Sequence, residues 1–280
     1  MSDAPVPRGQ IDLKTEVRRA LVSLEHPSAG GSAITSDLSI DEELNLHAVG
    51  WQPVELVTGV SVFSVPSGLW NWGQGEITGA TRAHENAFNH AIMRLQRDAA
   101  QAGAHGVVGV HVERSVHPSH VEVSLLGTAI RPIDAKAAAP EHVFTSDLSA
   151  RDFALLTLAG WEPLGLAHGA SFVYAPRRQM SMVFAQQTQN VELTNFTNAI
   201  YAARETAMER MQTTALSLKG TGVVQVNVIE GPMSFASHAI GFVSWGTVVR
   251  LVHDEHHRVS PQLVLSMNDR TITFAATTLQ

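Results

Sequence analysis

Cysteine is absent from the 280-residue chain, which removes disulfides, thiolate nucleophiles and cysteine-based zinc sites together. No apolar run reaches the roughly 18 residues of a membrane span, and residues 1–9 lack the basic segment and apolar stretch of a signal peptide, so a soluble, cytoplasmic protein is expected. Basic residues are in deficit, 19 against 26 acidic, for a formal net charge of −7. That balance argues against nucleic acid as a partner. A nucleophile with its base, or a recurring pair of carboxylates, is also missing, so no catalytic residue is assigned and no enzyme is expected. What remains is 44% hydrophobic, enough for real cores.

The chain repeats itself. With Glu76 placed on Glu192, Thr81 falls on Thr197, Ala91 on Ala207, Arg94 on Arg210, Ala99 on Ala215 and Gly106 on Gly222, without a gap. In each copy the apolar positions recur with a 3.6-residue period, Ala87, Ala91, Leu95, Ala99 and then Ala203, Ala207, Met211, Ala215. That spacing predicts a helix with one buried, alanine-rich face that lies close on a sheet. Gly103 and Gly220 are the expected stops. Valines alternate after each helix, at 107–113 and 223–230, and second runs at 121–131 and 240–250 complete a hairpin with Pro118 or Pro232 near its turn. A further strand precedes each helix, at 54–65 and 164–174. Each copy therefore reads β-α-β-β, an α+β unit whose sheet is too thin to close a core alone, so sheets are expected to join between domains or subunits.

The expected organisation is a tail and helix at 1–34, a first domain at 35–132, a linker at 133–144, a second domain at 145–252 and a C-terminal extension with a hairpin at 253–280. Within it, Lys14 to Glu25 has helical spacing, and Thr35-Ser36-Asp37-Leu38-Ser39 recurs as Thr145-Ser146-Asp147-Leu148-Ser149. Ser39 and Glu42 have capping-box spacing for a short helix ended by Gly50, and Gly160 ends its counterpart. Trp51 and Trp161 are expected to pack. The copies differ most in the loop before the long helix: the first carries Trp70 and Trp72, and the second is longer and carries Arg177, Arg178, Met180, Met182 and Phe184. Such loops on a common scaffold carry specificity, so Trp70 and Trp72 are candidate ligand or interface residues. Gly73, Gly75 and Gly79 have the wrong spacing for a dinucleotide loop.

Gly75-Glu76, the helix with Ala91 and Arg94, Gly103-Ala104-His105-Gly106-Val107-Val108-Gly109-Val110 and Gly127-Thr128-Ala129-Ile130-Arg131 together resemble the YbjQ-like family, labelled "putative heavy-metal-binding domain". The second copy is similar through Glu192, Ala203-Arg204, Glu209-Arg210-Met211, Gly222-Val223-Val224 and Gly246-Thr247-Val248-Val249-Arg250. The resemblance implies a dodecin-subunit-like fold in which subunits share sheet edges and close into a homo-oligomeric ring, typically a pentamer. Two copies per chain imply either two stacked rings or one pseudo-symmetric ring that mixes both copies.

The shared polar residues Glu76, Arg94, Glu192 and Arg210 are the candidate ligand or interface positions. A carboxylate at the start of the helix complements its dipole, and an arginine in the middle can pair across a subunit boundary. For metal, a site needs three or four convergent donors, and the nearest groupings are His111 with His117 and His120, and His256 with His257. His111 is replaced by Asn227 in the second copy, so no metal or other cofactor is assigned; a divalent transition metal is the alternative. The reading is a ring-forming binding or scaffold protein for a small molecule or a partner protein, with heavy-metal binding second and an enzyme with its site between subunits third.

Overall fold

A computed structural model describes residues 34–65, 75–117, 119–134, 140–175, 192–232 and 238–252. The helix expected at 14–25, the Trp70 and Trp72 loop, its counterpart from Arg177 to Phe184, and the tail and hairpin after residue 252 lie outside the described residues.

Each unit opens with a short helix, α1 (Ile40–Ala48) and α3 (Ala150–Leu158). The Ser39 hydroxyl accepts from the Glu42 amide, and the Glu42 carboxylate accepts from the Ser39 amide at 2.9 Å, closing a capping box. Gly50 and Gly160 end these helices with φ of +83° and +82°. The long helices are α2 (Thr78–Gln101) and α4 (Thr194–Ser217), and the alanine stripe is buried in both. The close approach that the stripe permits is completed from the strand side. A Cβ on Gly59 would sit 2.1 Å from the carbonyl oxygen of Ala91, and one on Gly169 would sit 2.0 Å from that of Ala207.

One expectation is corrected. Gly103 (φ +72°) does terminate α2, but the left-handed residue after α4 is Lys219 (φ +60°), not Gly220. Gly220 is required for another reason, since a Cβ there would lie 2.1 Å from a Val248 methyl. A left-handed backbone crowds a side chain against its own carbonyl, so Lys219→Gly is expected to stabilise the protein by about 1 kcal/mol in urea unfolding.

The strands are β1 (Trp51–Ser64), β2 (Gly75–Glu76), β3 (Gly106–Val116), β4 (His120–Pro132), β5 (Phe144–Thr145), β6 (Trp161–Tyr174), β7 (Gly222–Pro232) and β8 (Ala239–Leu251). They form two four-stranded sheets, ordered β1-β4-β3-β5 and β2-β6-β8-β7. The repeat extends to irregularities: β1 and β6 shift register after Pro53 and Pro163, and β3 and β7 carry bulges at Gly109 (φ +64°) and Gln225 (φ +52°). The β-α-β-β reading therefore holds, and the joining of sheets takes a definite form. β2 belongs to the first unit yet pairs with β6 of the second, and β5 runs parallel to β3 of the first unit.

Burial follows from this exchange. In β6 and β8 nearly every residue is buried, because α4 covers one face of their sheet and α2 reaches the other. In the first sheet β1 alternates, with Val57, Gly59 and Ser61 buried under α2 while Thr58, Val60 and Val62 are exposed. Trp51 packs edge-on against Phe144 and Phe153 in a smaller cluster with Leu46, Val108 and Ile130 that ties α1 to α3. Among the described residues no helix is long and apolar enough to cross a membrane.

Candidate functional site

Two of the four polar residues that the repeat singles out, Glu76 and Arg210, meet where the two units join, the arginine pairing across the boundary between units. Strand β2 sets Glu76 opposite Val173 at the edge of β6. Its carboxylate faces Arg210 of the second unit's α4, which donates through Nη1 to Oε1 and through Nη2 to Oε2 at 3.0 Å. Arg210 also donates to the Ala170 carbonyl at 2.7 Å and lies 3.3 Å from Glu85 through Nε. Thr81 and Ser171 complete the shell, donating to Glu76 at 3.1 and 3.3 Å.

Burial alone pushes the Glu76 carboxyl up. The Arg210 hydrogen bond and charge, with the two hydroxyls, outweigh it and hold the group below the usual carboxylate value. Glu85, more weakly compensated, is pushed up by burial. A bidentate pair with both oxygens engaged is a clamp and not a proton acceptor.

Arg94, the counterpart of Arg210, is exposed and donates to the Val60 carbonyl, which matches the Ala170 carbonyl in position. Glu192, the counterpart of Glu76, is exposed and accepts from Thr197 at 2.9 Å, as Glu76 accepts from Thr81. The two recurring features of the motif, a carboxylate ahead of the long helix held by a threonine and a long-helix arginine donating to a carbonyl of the unit's first long strand, are thus built twice. Only Glu76 and Arg210 are brought together. Trp70 and Trp72 lie outside the described residues.

Two further polar features stand out, and the first carries no obvious mark in the sequence. His84 on α2 is fully buried beside Phe172, and neither ring nitrogen has a hydrogen-bond partner among the described residues. His168 on β6 stacks on Phe88 with centroids 4.2 Å apart, and its Nε2 lies 3.0 Å from the Asn89 amide oxygen. Desolvation depresses both imidazoles, His168 to about 4, so both are neutral at physiological pH.

The second feature surrounds Asp147. Its amide donates to the Thr247 hydroxyl, while its carboxylate accepts from that hydroxyl and from Asn227 at 2.8 Å. Ser146 adds a hydroxyl contact to Thr247 at 3.0 Å. Burial raises the Asp147 carboxyl to about 6 against these hydrogen bonds. The recurrence of Thr-Ser-Asp-Leu-Ser was a visible signal, yet a helix cap explains only its last residue.

Among the described residues, His111, His117 and His120 do not converge on one point. His117 and His120 stack at 4.4 Å near the exposed hairpin end, with His120 Nδ1 3.0 Å from Ser119, while His111 instead approaches Glu113 at 3.8 Å. Among the described residues no group of three or more histidine or carboxylate side chains could hold an ion, which is fewer donors than a stable site needs. His256 and His257 lie outside the described residues.

Comparison with known proteins agrees with the fold. The YbjQ family model, described as "Putative heavy-metal-binding", matches residues 51–132. Over 257 residues the chain is 34% identical to the encapsulin nanocompartment protein Rv1762c of Mycobacterium tuberculosis, an alignment covering 88% of this chain and 97% of that one.

Proposed function

The chain belongs to the YbjQ-like family, and from that premise we propose that it is a non-catalytic, cytoplasmic, self-assembling structural protein, a ring-forming scaffold or compartment component. The observation that carries this reading is the exchange of strands between units. Strand β2 leaves its own unit to extend the neighbouring sheet, and the Glu76–Arg210 clamp locks it there. A protein that spends its shared polar residues on joining units is organised around assembly. The name of the relative, an encapsulin nanocompartment protein, supports the same reading.

Both oxygens of Glu76 are engaged in the clamp, and among the described residues no three histidine or carboxylate side chains gather at one point, which supports this reading. The test is native mass spectrometry of the gently purified chain. The expected result is one closed multiple of the chain mass, five chains for a ring of the family's kind, without adduct. A monomeric mass overturns the reading, and a metal or organic adduct in fixed ratio replaces it with a binding function.

A further inference from the structure

We propose that whole chains join head to tail through a second version of the joint that unites the two units within each chain. The α4 and β7 side of one chain meets the β1 edge and residues 34–38 of the next. The inference rests on the assembly reading above and adds to it which surfaces meet, with a second copy of this chain as the only occupant.

The internal joint supplies the pattern. Glu76 pairs with Arg210, the Ile77 amide donates to the Phe172 carbonyl at 2.6 Å, and the Phe172 amide donates to the Thr81 hydroxyl at 3.2 Å. Ile77, Ala170 and Phe172 are buried by this contact. Their counterparts in the repeat are Leu193, Val60 and Val62, which are 45%, 40% and 56% exposed. Leu193 follows Glu192 on α4's approach, while Val60 and Val62 lie on β1, which ends its sheet. So the reverse contact, from second unit to first, has its apolar positions in place and uncovered.

Charge follows the same correspondence. Arg94 holds the Val60 carbonyl as Arg210 holds that of Ala170, and among the described residues it forms no ion pair. The carboxylate that the repeat assigns to it is Glu192, oriented by Thr197 as Glu76 is by Thr81.

A second row of contacts agrees. Within the chain, Thr145 pairs with Val107, and the Val110 amide donates to the Ser146 carbonyl at 2.9 Å, which buries both hydroxyl residues. The matching residues Thr35 and Ser36 are exposed, and among the described residues β7, the counterpart of β3, ends its sheet with Val226 and Val228 exposed. The register transfers directly: Ile34 falls opposite Gly222 and Thr35 opposite Val223. An unpaired edge with apolar residues invites another strand, and a heterologous contact of this kind closes into a ring when its rotation permits.

The absence of cysteine makes the test clean. Thr35→Cys and Val223→Cys introduced together should give, on mild oxidation, a ladder of covalent multimers on denaturing gels, with no ladder from either variant alone. Arg94→Glu should raise the dissociation concentration at least about tenfold, and adding Glu192→Arg to it should restore assembly. All these positions except Val223 are exposed, and melting curves verify folding of each variant. An assembled wild-type mass with no ladder and no effect of Arg94→Glu overturns this joint while leaving assembly standing. A monomeric wild type overturns both.

Discussion

Gly169→Ala is expected to lower the stability of the chain by about 3 kcal/mol or more, and Gly59→Ala by a similar amount. The added methyl carbon of Gly169→Ala would lie 2.0 Å from the Ala207 oxygen and 2.7 Å from the Met211 nitrogen. For Gly59→Ala the corresponding distances are 2.1 Å to Ala91 and 2.7 Å to Leu95. These are backbone atoms of α4 and α2, so no side chain can rotate away. The helix itself must lift, and every alanine contact along the stripe loosens with it, because dispersion falls steeply with a small gap. Urea unfolding gives the measurement. Gly231→Ala is the control, since nothing lies within 4 Å of its added carbon. A change below about 1 kcal/mol at Gly169 would mean that α4 is not held this close to β6.

Acidification is the second large effect, and its sign differs between groups. His168 is depressed to about 4 from an ordinary 6.5 by burial, so the stability gained by keeping it neutral is complete above pH 6.5 and is lost as pH falls toward 4. That loss is roughly 3 kcal/mol. His84 acts in the same direction, through burial first, then the positive charge of Arg114 and that of His168 once it is protonated. Asp147 acts oppositely. Its carboxyl is raised from 3.8 to about 6, so its ionisation at neutral pH costs about 3 kcal/mol, a penalty relieved as the proton binds between pH 6 and 3.8. The Glu76 contribution, held below its ordinary value of 4.5, starts to be lost as pH falls below 4.5, at the acid end of this window, and goes on falling through its depressed native value.

The wild-type stability should therefore decline between pH 6.5 and 4 with His168 and Asp147 nearly cancelling. Asp147→Asn should decline more steeply, by about 3 kcal/mol across the window, and His84→Leu should flatten the wild-type profile. Denaturation at a series of pH values checks all three chains. Parallel profiles for wild type and Asp147→Asn would show that the carboxyl is not desolvated.

The β-α-β-β order, the buried alanine faces and the capping box at Ser39 were legible because each rests on a short-range periodicity. The partner of Glu76 was not. An arginine pairing across a boundary was an expectation, but strand exchange decides that Arg210 is the one opposite Glu76, and no local pattern reveals which unit a strand will join. A glycine within a strand carries no local sign of what approaches it, so the close contacts at Gly59 and Gly169 could not be read from their neighbours, although the two recur at matched positions. His84 and His168 come from a helix and a strand that meet across the junction, and neither stands in a recognisable spacing. Lys219 occupies a left-handed position that residue preference assigns to glycine.

The connection through residues 133–144 that carries the chain from β4 to β5 has a kinetic consequence. Because it ties one unit to the next, the internal joint forms at the high effective concentration of a tethered pair, independent of how much protein is present. In the assembly proposed above, only the joints between chains depend on encounter between molecules. A closed assembly built from fused pairs thus needs fewer than half the collisions that the same number of separate units would require, and dilution can dismantle it only at every second seam.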